Sequence, residues 1–108
     1  MKIGDIILIP FPFAELTNKK VRPAVVLTVT DDKYKDIVVS AISSVVPVNI
    51  SKREIFLKPN KTNNLRVESI IKVDRIVTLK REDKIADLGN LSASELLMFK
   101  NIIIDIVK

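Results

Sequence analysis

The sequence contains no cysteine, no histidine and no tryptophan. Without cysteine, the chain can form neither a disulfide framework nor a thiolate metal site, and it is compatible with a reducing cytoplasm. Without histidine, it lacks the commonest metal ligand and the side chain that usually exchanges protons near neutral pH. Any catalysis must therefore use arginine, lysine, hydroxyl groups or carboxylates.

Long, clean hydrophobic runs are also absent. The last apolar stretch is interrupted by Lys100 and Asp105, so neither end of the chain predicts a membrane span. The segment from Met1 to Phe13 holds Asp5 and two prolines and has no small-residue cleavage site, so it does not resemble a secretory signal. We expect a cytoplasmic protein with no membrane association.

Positive charge is in excess over 108 residues, with a net charge of +5 and a pI near 9.6. This balance favours a polyanionic partner, either nucleic acid or an acidic protein, although it also occurs in proteins that bind nothing anionic. The length and the 47% hydrophobic content fit one globular domain spanning residues 1–108. A domain of this size buries roughly 60–70% of its unfolded surface.

The β-branched stretch of residues 21–30 is the central strand candidate of the sequence. Read with a period of two, it places Val21, Pro23, Val25, Leu27 and Val29 on one apolar face, and Arg22, Ala24, Val26, Thr28 and Thr30 on the other. We therefore predict a strand with one face in the core and a charge on the opposite face. Arg22 follows Lys19 and Lys20, so three cations gather where this strand leaves its loop.

Short strands account for most of the remaining regular structure. The pattern predicts them at residues 5–9, 37–43, 54–57, 68–74 and 76–79, with another short one at 84–88. The segments 45–53 and 58–66 are predicted as loops, and the second is the most polar and the one expected to be most mobile. No internal repeat is present.

The C-terminal segment carries the clearest local signal, a helix start. Ser92-Ala93-Ser94-Glu95 is a capping box flanked by Leu91 and Leu96, which predicts a helix from there to about Val107. The apolar residues of this helix cover more than one stripe. We therefore expect a second contact in addition to its own barrel, and hence a homodimer.

Several short strands followed by one helix, without crossover helices, predict a small, mostly β, open barrel with a C-terminal α-helix. Three motifs add a family resemblance: Gly4-Asp5-Ile6-Ile7-Leu8-Ile9-Pro10-Phe11-Pro12-Phe13, Arg22-Pro23-Ala24-Val25-Val26-Leu27 and Ala41-Ile42-Ser43-Ser44. Together they resemble the MazF/PemK-like toxins of type II toxin-antitoxin systems. The resemblance implies an SH3-like barrel, usually dimeric, that acts as a sequence-selective endoribonuclease and is neutralised by an antitoxin.

The resemblance implies catalytic roles for Arg22 and Ser43. Arg22 matches an arginine that contacts the scissile phosphate; its fork of donors suits phosphate oxygens, and its permanent charge makes it a poor proton shuttle. Ser43 stands where many members have a catalytic threonine. Alternation puts Ser43 on the face of Ile37, Val39 and Ala41, so either a strand-end irregularity turns it outward or Ser44 acts instead.

The remaining candidates are Lys72 and Asp74, two apart on one strand face. At the matching positions some family members use a basic residue and an aspartate in RNA cleavage or binding. Asp74 would be the natural proton acceptor if its carboxylate is basic enough, and Glu68 is a weaker alternative. Lys19, Lys20, Ser44 and Lys72 are the expected RNA-binding residues, with loops 14–20 and 45–53 reading unstacked bases. No metal or cofactor is implied.

The residues alone also permit plainer interpretations. Arg22 can be a solvated strand arginine, Lys72 and Asp74 a surface ion pair, and Ser43 and Ser44 strand-end hydrogen bonders. The alternative functions are a non-catalytic binding protein on the same barrel, such as a CcdB-like topoisomerase poison or an inactive antitoxin-binding homologue, and a basic module that holds RNA or an acidic peptide.

Overall fold

The computed structural model describes residues 1–10 and 20–108. In these residues the regular elements are six strands, a short 3₁₀ turn at Arg81–Asp83 and one α-helix. Their bounds are β1 Asp5–Pro10, β2 Val21–Val29, β3 Ile37–Ser43, β4 Glu54–Leu57, β5 Ser69–Leu79, β6 Ala86–Asn90 and α1 Ala93–Ile106. The predicted mostly β fold with a C-terminal helix is confirmed.

The six strands form one curled antiparallel sheet in the order β4-β5-β3-β2-β1-β6. Every pairing is antiparallel, so no crossover helix is needed between neighbouring strands. Strand β3 lies between β2 and β5 and pairs with both along its length. Residues from β2, β3 and β5 are therefore brought side by side in the middle of the sheet.

Both faces of the sheet carry a hydrophobic core. The helix-side core includes Val25, Ile71 and the fully buried Phe99 of α1. The second core lies on the opposite face and consists of Ile7, Ile9, Ala24, Val26, Ile37 and Val39. The prediction that only one face of β2 is buried is therefore wrong, because Ala24 and Val26 on the opposite face are buried as well.

A β-bulge in β2 also ends the simple alternation of that strand. Val26 pairs with Val39 and Thr28 pairs with Val38, so Leu27 is an extra residue without a partner of its own. An extra residue moves the following side chains to the opposite face. Val29 consequently pairs with Ile37 of the second core, although alternation had grouped it with Val25 of the first.

A larger bulge bends β5, which runs as one strand through the segments 68–74 and 76–79 that the pattern predicts. Ser40 pairs with Ile76 and Ala41 pairs with Lys72, which leaves the segment 73–75 as three extra residues on β5. The fully buried Ser40 donates a 2.9 Å hydrogen bond from its Oγ to the carbonyl of Val73. The strand is thus continuous but bent, and the bend has a buried hydrogen bond at its base.

The turn between β2 and β3 is closed by Asp32. Its Oδ1 accepts a 2.8 Å hydrogen bond from the Thr30 hydroxyl and longer ones from the backbone N–H groups of Tyr34 and Lys35. These hydrogen bonds lower the pKa of Asp32 below its ordinary value, and the hydrogen bond from Thr30 has the largest effect. Lys35 adopts a left-handed backbone conformation with φ of 52° at the end of this turn.

The helix begins as the capping box predicts. Ser92 Oγ accepts from the backbone N–H of Glu95, and Glu95 Oε1 accepts from the backbone N–H of Ser92 at 2.9 Å. Phe99 is buried in the helix-side core, and several further apolar residues of α1 pack against it. The outer face stays apolar and exposed at Leu97, Met98, Ile104 and, beyond the helix, Val107.

Residues 58–67 connect β4 to β5 and are hydrogen-bonded through the side chain of Asn63. The side chain of the fully buried Asn63 accepts from the N–H groups of Asn60 and Leu65 and donates to the carbonyl of Lys58. Gly89 of β6 packs so closely that a Cβ there would lie 2.2 Å from the Thr62 carbonyl oxygen. Side-chain hydrogen bonds, invisible to composition, hold this polar segment against β6.

Candidate active site

The first candidate site is a cavity of about 450 Å³ at the bend of β5. Arg22 of β2, Ser43 of β3 and Lys72 and Asp74 of β5 all line it, together with Arg75. Its other lining residues are Ala41, Ile42, Val45, Ile76 and Val77. Four side chains proposed for catalysis and substrate binding from the sequence therefore lie around one concave surface.

The sheet register explains why Arg22 and Ser43 share a face. Ala24 pairs with Ala41. Arg22 precedes Ala24 by two residues, and Ser43 follows Ala41 by two residues. Residues two apart on a strand project from the same face, so Arg22 and Ser43 lie on the face of the second core. No strand-end irregularity is needed, because the face of β3 that carries Ile37, Val39 and Ala41 opens into the cavity at its end.

The hydroxyl of Ser43 already has one partner. The backbone N–H of Val45 donates to Ser43 Oγ at 3.1 Å, which uses a lone pair and leaves the hydroxyl proton able to donate elsewhere. Ser44 lies apart from it and lines a different cavity. The two serines that the sequence could not distinguish are thus separated by the structure, and only Ser43 lies with Asp74.

Asp74 is one of the three extra residues of the β5 bulge and lines the first cavity. Its Oδ2 lies 3.8 Å from Nη1 of Arg53, and about half of its side chain remains exposed at 47%. The pair is a loose, solvated one that leaves the carboxylate accessible. Arg53 is a neighbour of the site that the sequence analysis did not identify.

A second cavity of about 380 Å³ shares Arg22 and Ile42 with the lining of the first. Ser44, Asn64 and Arg66 provide polar groups in its wall. The rest of the lining is Leu8, Val21, Pro23, Ile42, Leu65, Val67, Ser69 and Leu88. The sequence analysis named neither Asn64 nor Arg66, because they belong to a loop whose packing against β6 depends on distant residues.

The other expected RNA-binding residues have different outcomes. Lys20 is exposed and lines neither cavity. Glu68, the alternative proton acceptor, is also exposed and lies outside both linings. Lys19, and all of loop 14–20 except Lys20, fall outside the described residues.

The electrostatic character of the first cavity is cationic. Arg22, Lys72 and Arg75 contribute three positive charges against the single carboxylate of Asp74. Such an arrangement can hold a phosphate and stabilise negative charge that develops on it. Among the described residues, no three acidic side chains lie close enough together to form a metal-binding group, and no helix is long and apolar enough to span a membrane.

The fold and the cationic cavity define a small, curled β half-barrel protein with a site suited to an anion. The chain belongs to the family of PemK-like, MazF-like toxins of type II toxin-antitoxin systems, whose sequence model matches residues 2–107. This match confirms the resemblance seen in the three sequence motifs. No curated protein sequence is significantly similar to the chain.

Solved structures with the same fold include several toxins. The Mycobacterium tuberculosis toxin MazF-mt6 is 18% identical, with a TM-score of 0.68 over 94% of this chain and 93% of that one. MazF from Deinococcus radiodurans is 18% identical, with a TM-score of 0.71 over 99% and 96%. An endoribonuclease in complex with its cognate antitoxin from a mycobacterial species is 10% identical, with a TM-score of 0.69 over 99% and 94%.

Proposed function

We propose that this protein is a metal-independent, sequence-selective endoribonuclease toxin that cleaves single-stranded RNA. The observation that carries the proposal is the convergence of Arg22, Ser43 and Asp74 on one cationic cavity. Membership of the MazF-like toxin family supports it, as does the likeness in fold to an endoribonuclease. The net charge of +5 suits a polyanionic substrate.

The proposed reaction is a transesterification within the RNA. The 2′-oxygen of the upstream ribose forms a bond to the adjacent phosphorus and loses its proton to Asp74, while the bond from phosphorus to the 5′-oxygen breaks. The products are a 2′,3′-cyclic phosphate and a 5′-hydroxyl, whose proton comes from water. Because the nucleophile belongs to the substrate, proximity replaces the activation of a separate water molecule.

In this mechanism Arg22 stabilises the charge that develops on the phosphate. Its guanidinium remains protonated at physiological pH and offers paired donors to two phosphate oxygens. Lys72 adds a second positive charge on the neighbouring strand, and Ser43 donates a hydrogen bond. Lys19, Lys20 and Ser44 are proposed to bind the RNA on either side, and the loops 14–20 and 45–53 to read unstacked bases, mainly through hydrogen bonds.

The experiment is cleavage of single-stranded RNA by purified protein in EDTA. We expect the wild type to cleave, with a cyclic phosphate end, and to leave DNA of the same sequence intact because DNA has no 2′-hydroxyl. Arg22→Gln should lower the rate by about 10²–10³, the cost of removing one preorganised donor to developing charge. Arg81→Gln, at an exposed arginine outside the cavity, is the matched control.

Other results would exclude the proposal. Equal cleavage by wild type and Arg22→Gln would indicate a contaminating nuclease. Intact RNA together with tight binding of an antitoxin or a topoisomerase would favour the non-catalytic alternative. Intact RNA with salt-sensitive RNA binding and no growth inhibition on expression would favour a simple RNA-binding module.

We further propose that a cognate antitoxin inhibits the protein in the cytoplasm. One structural relative is an endoribonuclease in complex with its cognate antitoxin, which supports this partner. An acidic peptide with apolar anchors would complement the cationic cavity and could occupy the surface that otherwise holds RNA. Competition between such a peptide and RNA, measured by fluorescence anisotropy, tests whether the two share that surface.

The proposed active form is a homodimer. Its support is the exposed apolar face of α1, formed by Leu97, Met98 and Ile104, which its own barrel does not cover. Ile104→Glu should then shift the protein toward monomer in sedimentation, whereas Lys33→Glu, at an exposed lysine in the turn between β2 and β3, should not. A monomeric wild type at micromolar concentration would remove this part of the proposal.

A further inference from the structure

We propose that Arg53 is a positioning residue for Asp74, which holds this carboxylate where it accepts the proton of the 2′-hydroxyl. The inference deepens the proposed function and rests on it for the role of Asp74. Arg53 Nη1 lies 3.8 Å from Asp74 Oδ2, whereas Arg53 is not among the residues that line the first cavity. Arg53 can therefore influence cleavage through Asp74 without touching the substrate.

The backbone next to Asp74 is fixed from β3 and from the start of β4. The N–H of Val73 donates to the carbonyl of Arg53 at 3.1 Å, and the carbonyl of Val73 accepts from Ser40 Oγ at 2.9 Å. Both backbone polar groups of this fully buried residue are thus hydrogen-bonded. The chain enters Asp74 in a set direction, and the freedom that remains to the carboxylate is mainly rotation of its own side chain.

Arg53 is well placed to limit that rotation, because a hydrogen-bonded turn before β4 fixes its backbone. The N–H of Arg53 donates to Ser51 Oγ at 3.2 Å. The N–H of Ser51 donates to Glu54 Oε1 at 2.9 Å, and the N–H of Glu54 donates back to the Ser51 carbonyl at 3.1 Å. The guanidinium therefore reaches Asp74 from a backbone that is already held in place.

Folding stability does not account for the position of the Arg53 side chain. The side chains of Arg53 and Asp74 are 41% and 47% exposed, so their attraction adds little to stability. Arg53 Nε is buried and has no hydrogen-bond partner among the described residues, which is unfavourable for folding. Orientation of the carboxylate gives this arrangement a physical reason.

The contact leaves Asp74 able to act as the proton acceptor. Arg53 faces Oδ2, so Oδ1 of the same carboxylate is available to the 2′-hydroxyl. Arg22, Lys72 and Arg75 line the cavity and can contact the phosphate, while Arg53 stays beside the carboxylate. Because a displacement of about 1 Å in a reacting group can cost 10²-fold in rate, even a loose contact that limits rotation affects the chemical step.

The test separates the chemical step from RNA binding. Arg53→Gln removes the charge and keeps a polar side chain, and Arg81→Gln, at an exposed arginine outside the cavity, is the matched control. The probe is an RNA that the wild type cleaves, chosen from a randomised single-stranded pool, and its 2′-O-methyl form, which cannot react, reports binding. Cleavage is measured in single turnover at saturating protein, at a temperature where thermal unfolding shows each variant to be folded.

We expect Arg53→Gln to lower the single-turnover rate by about tenfold and to leave the Kd unchanged. The salt dependence of log K should also stay the same, because loss of one phosphate contact on a single strand would lower its slope by about 0.7. Weaker binding with a reduced slope would mean that Arg53 contacts RNA directly and would overturn the positioning role. Cleavage by Arg53→Gln at the wild-type rate would overturn it as well.

A double-mutant cycle with Asp74→Asn shows whether Arg53 acts through Asp74. Asparagine keeps the shape of the side chain without the carboxylate, so Asp74→Asn should itself slow cleavage. In that background Arg53→Gln should change the rate by less than about twofold, because the interaction is already lost, and a further tenfold decrease would refute the inference. A wild type that never cleaves RNA would instead refute the proposed reaction.

Discussion

Replacing Ser40 by alanine tests whether one buried hydrogen bond sets the shape of the site. Ser40 Oγ donates to the Val73 carbonyl at 2.9 Å, where β5 carries three extra residues and Asp74 projects into the first cavity. Alanine leaves that carbonyl without this partner in a buried position. Such a loss costs about 1–3 kcal/mol, which corresponds to a lower melting temperature by roughly 4–8 °C per kcal/mol in a domain of this size.

The consequence for activity is separable from the loss of stability. Because the bulge aims Asp74, Ser40→Ala should reduce RNA cleavage at a temperature where the variant is fully folded, with little change in RNA affinity. Thermal unfolding and single-turnover cleavage measure the two effects. Ser94→Ala, at an exposed serine in the first turn of α1, is the control and should change stability by less than about 0.5 kcal/mol. A Ser40→Ala protein with wild-type stability and cleavage would show that the bulge does not depend on this hydrogen bond.

Three further predictions concern the framework of the site. Gly89→Ala should destabilise the protein by at least about 2 kcal/mol in urea unfolding, since the added Cβ would lie 2.2 Å from the Thr62 carbonyl oxygen. Wild-type stability of this variant would contradict the packing of residues 58–67 on β6. Phe99→Ala should cost about 3–5 kcal/mol, because the ring is fully buried in the helix-side core; a loss under 1 kcal/mol would mean that α1 is not held there. The pKa of Asp32 is lowered in the folded state, so its contribution to stability is present above the unfolded-state pKa and is lost as the pH falls through the folded-state pKa. The unfolding curves of wild type and Asp32→Asn should therefore converge in acid and separate toward neutral pH.

Local patterns anticipated most of the elements. The capping box at Ser92 and Glu95 marks the start of α1 because its hydrogen bonds involve residues only three apart. Strands β3 and β4 have the predicted bounds, since short β-branched segments between turn residues are local signals as well. The predicted loop 58–66 is a loop, but it is held by hydrogen bonds of the buried Asn63, whose role no local pattern reveals.

Residue type and motif alone determined what chemistry this chain has available: arginine, lysine, hydroxyl and carboxylate groups without histidine or cysteine, in the motifs of a toxin family. Only the tertiary structure decided which of those groups meet. Each β-bulge with an odd number of extra residues reverses the faces of everything that follows, so alternation along one strand cannot say which side chains share a cavity. The convergence of Arg22, Ser43 and Asp74 on one cavity follows from pairing between strands far apart in the chain.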